Sequence, residues 1–301
     1  MKPGNIAIRL HELLRVQAET RTIAEVRQGR SYIAVLLDDG RLGLSGYPGH
    51  SAVPPALPHP LHGDTGSGLS DVPGGELSRG EAIFPPSIAS TGAGAAPVLK
   101  WLTEKGVPLK KALALATANA LIHQDHSDLE GDSFDLFRLT PKDKVVMVGR
   151  FTPLVGRIED KGASLTILEK DAAKGLVLSK RERRTVLKKC TVAIITATAL
   201  LYDDLEDIFN DLGNPRHVAL LGPSTPMLPN LFTDTPVTHL GGVRIIDAAQ
   251  ILPIVSAGGG TQAMRPHLEM TNLFLRKENS EVTVCDLRCR LYEKAVLMNS
   301  Q

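Results

Sequence analysis

The chain has 301 residues, 43% of them apolar and 22% charged, a balance that suits folded globular domains and argues against a disordered chain or a fibre. Thirty-four basic and 33 acidic side chains leave a net charge of +1, so there is no overall electrostatic footprint for nucleic acid or an anionic membrane. At about 150 residues per domain, the length points to two domains or one large one.

The opening residues carry Arg9, His11, Glu12 and Arg15 where a signal peptide needs an unbroken apolar run. No stretch of about 18 apolar residues follows, so the expectation is a cytosolic chain without a membrane span. Three cysteines, Cys190, Cys285 and Cys289, cannot all pair within one chain and fit free thiols. Ile6, Leu10, Leu13, Leu14 and Ala18 recur near helical spacing and predict a helix over 6–18. Short strands follow at Ile23–Arg27, Ser31–Leu37 and Arg41–Ser45, with the tight-turn triplet Asp38-Asp39-Gly40 before the third. They make a small antiparallel meander.

Residues 43–97 are crowded with Gly and Pro, which break both helix and strand, so a long loop insertion is expected at about 46–97. Helical pattern resumes at Pro97–Glu104 and Pro108–His123, each with Pro at its start, where the missing N–H costs nothing. Trp101, beside Leu99 and Leu102, reads as core.

Beyond residue 140 the pattern changes. Lys144–Phe151, Ser164–Lys170, Thr191–Leu200 and His217–Thr225 are apolar, β-branched runs of the kind buried on both faces of a parallel sheet. Helix-compatible stretches lie between and after them, notably Leu201–Leu212 and Asp247–Val255. The expected fold class is α/β: a small α+β domain (1–139) followed by a Rossmann-like, doubly wound parallel sheet (140–301). The basic run Lys180-Arg181-Glu182-Arg183-Arg184 lacks an aromatic platform and reads as a solvated helix face.

In such sheets ligands bind at the carboxyl ends of the strands, near the switch in strand order. The residues expected there are Gly149 and Phe151 after the first strand, Glu169 after the second, Thr196 and Thr198 after the third, and Gly222, Ser224 and Thr225 after the fourth. Glu169 follows Gly149 by about 20 residues, where nucleotide-binding units place an acid for ribose hydroxyls. The loop itself reads GRFTPLVG, not G-x-G-x-x-G, and Pro153 removes a donor, so a pyrophosphate cradle is not expected. Glu169 can equally cap a helix or pair with Lys170. Ser224 and Thr225 can bond a ligand or cap the following segment. Gly258, Gly259 and Gly260 can form an anion nest or end a helix. For a borderline metal, the candidates are His50, His59 and His62 with Asp64, and the pair His123 and His126. Both groups can equally be solvated side chains.

The segments VVMVGRFTPLVGRI, LTILEKD, AIITATALLYDDLEDIF, VALLGPSTPMLPNLF and HLGGVRIIDAAQILPIVSAGGGTQ resemble the family of unknown function named for heavy-metal chelation, over about residues 140–265. The amino-terminal block is similar to the small domain that often precedes it. The resemblance implies an enolase-amino-terminal-like domain joined to a Rossmann-like domain, with a ligand site in the cleft between them. Tyr202 stands where members of the family commonly carry Asn.

The leading expectation is therefore a protein that binds a small polar ligand, a metal or a metal chelate in an interdomain cleft. An enzyme using an adenosine-containing cofactor such as S-adenosylmethionine, and a non-catalytic interaction protein, are the alternatives. No nucleic-acid or membrane partner is expected, and a two-fold homodimer is the default assembly.

Overall fold

A computed structural model of the chain describes residues 5–49, 92–122, 129–130, 134, 137–170, 172–173, 175–278 and 281–284. Helix α1 (Ile6–Glu19) buries Ile6, Leu10, Leu14 and Ala18, a stripe at helical spacing, and Asn5 caps it by accepting from the Ile8 N–H. The three expected strands are present as β1 (Thr22–Gln28), β2 (Tyr32–Leu37) and β3 (Leu42–Gly46), antiparallel throughout. Gly40, at φ +83, takes the left-handed turn between β2 and β3. A two-residue strand, β4 (Ala93–Gly94), pairs with β1 and gives a sheet of order β3-β2-β1-β4. Helix α2 (Ala95–Leu99) tightens into a 3-10 turn at Lys100–Thr103. Helix α3 (Pro108–Leu121), Ala- and Leu-rich and almost wholly buried, lies on β2 and β3.

Helix α3 meets the sheet at Gly43. A Cβ there would stand 2.1 Å from the Ala116 carbonyl oxygen and 2.3 Å from the Ala120 nitrogen, both main-chain atoms of the helix. Gly43→Ala therefore has to push α3 off the sheet. The expected cost is that of an overpacked core, about 2 kcal/mol, read as a lowered denaturation midpoint with an unchanged slope.

The second part is built on β6 (Lys144–Val148), β7 (Ser164–Leu168), β8 (Val192–Thr196), β9 (His217–Leu221) and β10 (His239–Ile245). These five are parallel and ordered β7-β6-β8-β9-β10. Strand β11 (Leu268–Glu278) joins β10 antiparallel and is flanked by β12 (Glu281–Val284) and the short β5 (Leu129–Glu130). Helix α4 (Thr152–Asp160) covers one face of the sheet through Ile158. Helices α5 (Lys180–Lys189) and α6 (Leu205–Asp211) cover the other through Leu187, Leu205 and Ile208. Successive residues of β6 and β8 feed opposite faces, Val145 and Ile194 into one core and Val146 and Ile195 into the other, which is why both strands are apolar without a break.

All four strand runs expected in this sheet end earlier than their apolar pattern, the last, His217–Thr225, at Leu221. The run Thr191–Leu200 leaves the sheet after Thr196 and turns into a 3-10 segment, Ala197–Tyr202, so Thr198 sits on that segment. The runs at 144–151 and 164–170 likewise end at Val148 and Leu168. The basic stretch is helix α5, opened by a capping box between Ser179 and Glu182, as its solvated pattern suggested.

The amino-terminal module packs onto the parallel sheet. One core joins Ile6, Leu10, Leu113 and Leu115 of that module to Ala193, Ile195, Leu200 and Leu201 of the sheet layer. A second joins Ala34, Leu42 and Leu44 to β10 and to helix α7 (Ala248–Ser256). Polar bonds close the same seam. The Ile6 N–H donates to Glu206 at 2.6 Å, Arg9 reaches the Asn230 carbonyl, and the Tyr32 and Thr261 hydroxyls lie 2.6 Å apart. Among the described residues no helix is long and apolar enough to cross a membrane.

Candidate functional site

The strand order reverses between β6 and β8, and in sheets of this class ligands are taken at the carboxyl ends of such a pair. Gly149 makes this convergence possible. Its φ is +84, and a Cβ would fall 2.6 Å from the Thr196 methyl. The donors of the following turn are largely committed. Gly149 N–H donates to Leu168 O at 2.9 Å, Arg150 N–H to Glu169 Oε1 at 2.6 Å, Phe151 N–H to Met147 Sδ at 3.2 Å, and Pro153 has none. Glu169 is thereby held against the turn rather than on Lys170, whose ammonium sits 2.8 Å from Asp204 and 3.4 Å from the centre of the Tyr202 ring. A carboxylate occupying this turn disfavours phosphate there.

On β8, Thr196 accepts from the Thr198 N–H, and the two hydroxyls are 2.9 Å apart. The 3-10 segment that follows forms the next wall. Tyr202 Oη donates to the Pro48 carbonyl at 3.0 Å, tying this wall to the amino-terminal module. Burial, then the charges of Asp204 and Glu169, push the Tyr202 phenol above its ordinary pKa, so it stays protonated and keeps donating. Asp203 takes a left-handed conformation, φ +56, and its carboxylate pairs with Lys111 of α3 and accepts from the Gly106 N–H.

Just after β9, Gly222 is again left-handed, φ +112, and Phe151 reaches toward it. Ser224 and Thr225 are buried and have protein partners. Ser224 Oγ accepts from the Gly46 N–H at 2.7 Å, and Thr225 Oγ1 donates to the Gly241 carbonyl at 2.9 Å. Gly46 sits so close that a Cβ would be 2.6 Å from the Thr198 methyl, so the end of β3 seals the floor beneath the threonine pair. Gly149, Phe151, Glu169, Thr196, Thr198 and Gly222 thus gather at the carboxyl ends of the parallel strands and remain partly exposed, with Arg150 and Lys170 at their margin.

Gly258, Gly259 and Gly260 lie elsewhere on the seam. The Gly258 and Gly259 amides donate to Val255 and Ile254 of α7, and Gly258 packs under Arg30 and accepts from the Ser31 hydroxyl. These are the bonds of a helix end docked on the β1–β2 turn. His50, His59, His62, Asp64, His123 and His126 lie outside the described residues, as do Cys285 and Cys289. Among the described residues there is no group of three or more His, Cys, Asp or Glu side chains able to hold a metal. Cys190 is a buried thiol, its S–H turned to the Leu187 carbonyl and its pKa pushed up to about 11 by burial, which makes it a poor soft-metal ligand.

These features define a class: a doubly wound α/β sheet whose switch-point crevice is walled by a small sheet-and-helix module. Two family models, both described as "Putative heavy-metal chelation", match the chain, DUF4213 over residues 11–122 and DUF364 over residues 132–274. Together they take in most of its length, and the chain belongs to this family. An uncharacterized protein of Methanocaldococcus jannaschii is 26% identical over 152 residues, 48% of this chain and 58% of that protein, so less than two thirds of that relative is matched. The crystal structure of a DUF364-family protein of unknown function from Pyrococcus horikoshii is similar with a TM-score of 0.67 at 15% identity, covering 89% of this chain and 99% of that one. A second, from Desulfitobacterium hafniense, has a TM-score of 0.65 at 17% identity, covering 89% and 98%. The two structures share the fold.

Proposed function

We propose that the chain binds a small polar organic molecule, a chelator, a chelator precursor or a metal chelate, in the crevice between the two modules. The carrying observation is the convergence of Gly149, Glu169 and the Thr196–Thr198 hydroxyl pair at the switch point of the parallel sheet. The donor set there, hydroxyls and one carboxylate, does not fit direct ligation of a soft heavy metal, which calls for thiolate or imidazole. In this reading a metal arrives already wrapped by its chelator, as cargo. The family's name supports the class of cargo. A cytosolic setting fits the free Cys190 thiol.

A second reading is favoured by Glu169 alone. Its Oε2, with only a long 3.3 Å contact to the Lys170 N–H, can accept from a ribose hydroxyl, while the turn beside it lacks spare donors for phosphate. That combination suits an adenosine ligand without phosphate, such as S-adenosylmethionine, over a dinucleotide. Thermal unfolding with each compound tests it. S-adenosylmethionine at 100 times its Kd should add about 2.7 kcal/mol of stability, and ADP none. No shift with millimolar S-adenosylmethionine removes this reading and leaves the first standing.

A further inference from the structure

We infer that the seam between the modules holds one buried water molecule beside Asn119 as a fixed part of the fold, a site independent of whatever the crevice binds. Asn119, in the last turn of α3, donates its amide nitrogen to two main-chain carbonyls, Leu44 O at 2.8 Å and Ser224 O at 3.2 Å. Both partners only accept, so the amide has one workable orientation. Reversing it would set oxygen against oxygen twice. Its Oδ1 then faces away from them, buried and with no hydrogen-bond partner. Buried acceptors in native proteins are nearly always satisfied, by protein or by ordered water.

The space beside Asn119 suits the second solution. It borders a cavity of about 20 Å³ walled by Leu42, Leu44, Ile122, Thr225, Met227 and Val243. A water needs about 10–15 Å³ by this measure and two to four polar partners. Thr225 supplies a second partner. Its proton goes to the Gly241 carbonyl, which leaves lone pairs on Oγ1 to accept. The guest is therefore neutral, one heavy atom in size, and a double donor. No charged side chain lines the cavity, so a bare ion would lose its hydration without repayment. With the water in place, Asn119 joins three elements at once: β3 through Leu44, the turn after β9 through Ser224, and β10 through the water, Thr225 and Gly241.

A crystal structure of the unaltered chain at about 1.8 Å or better tests this. The expected result is one spherical peak, as well ordered as its surroundings, at about 2.7–3.2 Å from Asn119 Oδ1 and within bonding distance of Thr225 Oγ1. A cavity without density overturns the inference, as does Asn119 Oδ1 bonded directly to a protein donor. Density longer than a single atom also overturns it, and would make this cavity an extension of the ligand crevice. None of these results depends on the crevice ligand, so the proposed function stands or falls separately.

Discussion

Asp203→Asn should destabilise the chain by about 3–5 kcal/mol in chemical denaturation, while Lys111→Met should cost much less. The asymmetry follows from burial. The Lys111 side chain is 2% exposed and that of Asp203 26% exposed. Losing the aspartate leaves an ammonium stranded in the core between the modules. Losing the lysine leaves a carboxylate that water still reaches and that keeps the Gly106 N–H. Asparagine tolerates the left-handed backbone at this position, so the variant isolates the lost charge from backbone strain. Equal losses for the two variants would mean that the pair works by packing and not by charge. The pair also holds the 3-10 segment that walls the crevice, so the Asn variant should weaken ligand retention as well as stability.

Lowering the pH from 7 to 4 should weaken the fold by about 3 kcal/mol through His239 alone. The ring is wholly buried, stacked on Phe274 at 4.6 Å, with Nε2 3.0 Å from Asn272 Oδ1 and no partner at Nδ1. Burial drives its pKa down to about 4, the Asn272 bond opposing and the nearby His217 adding slightly. The unfolded chain takes up the proton near pH 6.5 and the folded one only near 4. Stability is therefore complete above 6.5 and falls through that window. Asp143 behaves differently. Burial works against its ionisation, but bonds from Arg216, Thr191 and Thr140 outweigh that and hold its carboxyl well below the usual range. Its contribution is present above about pH 4 and is lost only below. Urea midpoints at pH 7, 5.5 and 4 separate the two. His239→Gln should flatten the curve between 6.5 and 4 and leave the fall below 4 in place. An unchanged slope in that variant would show that another group carries the transition.

The parts of this fold legible in the sequence are those dictated by local periodicity. Strands β6 and β8 could be seen because burial on both faces demands unbroken apolar residues, and the turn at Gly40 because its chemistry is local. Strand β10 was hidden by Gly241 and Gly242. They are glycines because a Cβ would strike Leu221 and Met227 at 2.6 Å, a constraint set by distant residues. The end of β8 was overrun because Ala197–Leu201 is as apolar as the strand before it, and only the three-dimensional turn separates them. Strand-end logic put Gly149, Glu169 and Thr196 at the carboxyl ends of β6, β7 and β8, where they stand. It could not find Gly46, Lys111 or the reach of Tyr202. Their partners lie 178, 92 and 154 residues away, and no local pattern marks such a pairing. The hydroxyls of Ser224 and Thr225 looked like ligand groups for the same reason, since the bonds that occupy them come from the other module and from β10.

Native mass spectrometry on protein purified without chelators tests the central claim most directly, run on the unaltered chain and on the double variant Thr196→Val, Thr198→Val. The variant removes two hydroxyls from the crevice, and with them the cap that Thr196 gives the Thr198 N–H, so its denaturation midpoint is measured alongside. The account predicts an organic adduct, alone or with a metal, on the unaltered chain, and at least about fivefold less of it on the variant, since two bonds to a ligand are worth roughly 1–3 kcal/mol together. An adduct retained equally by both proteins, or a bare metal ion carried by both, would contradict a ligand site at the switch point.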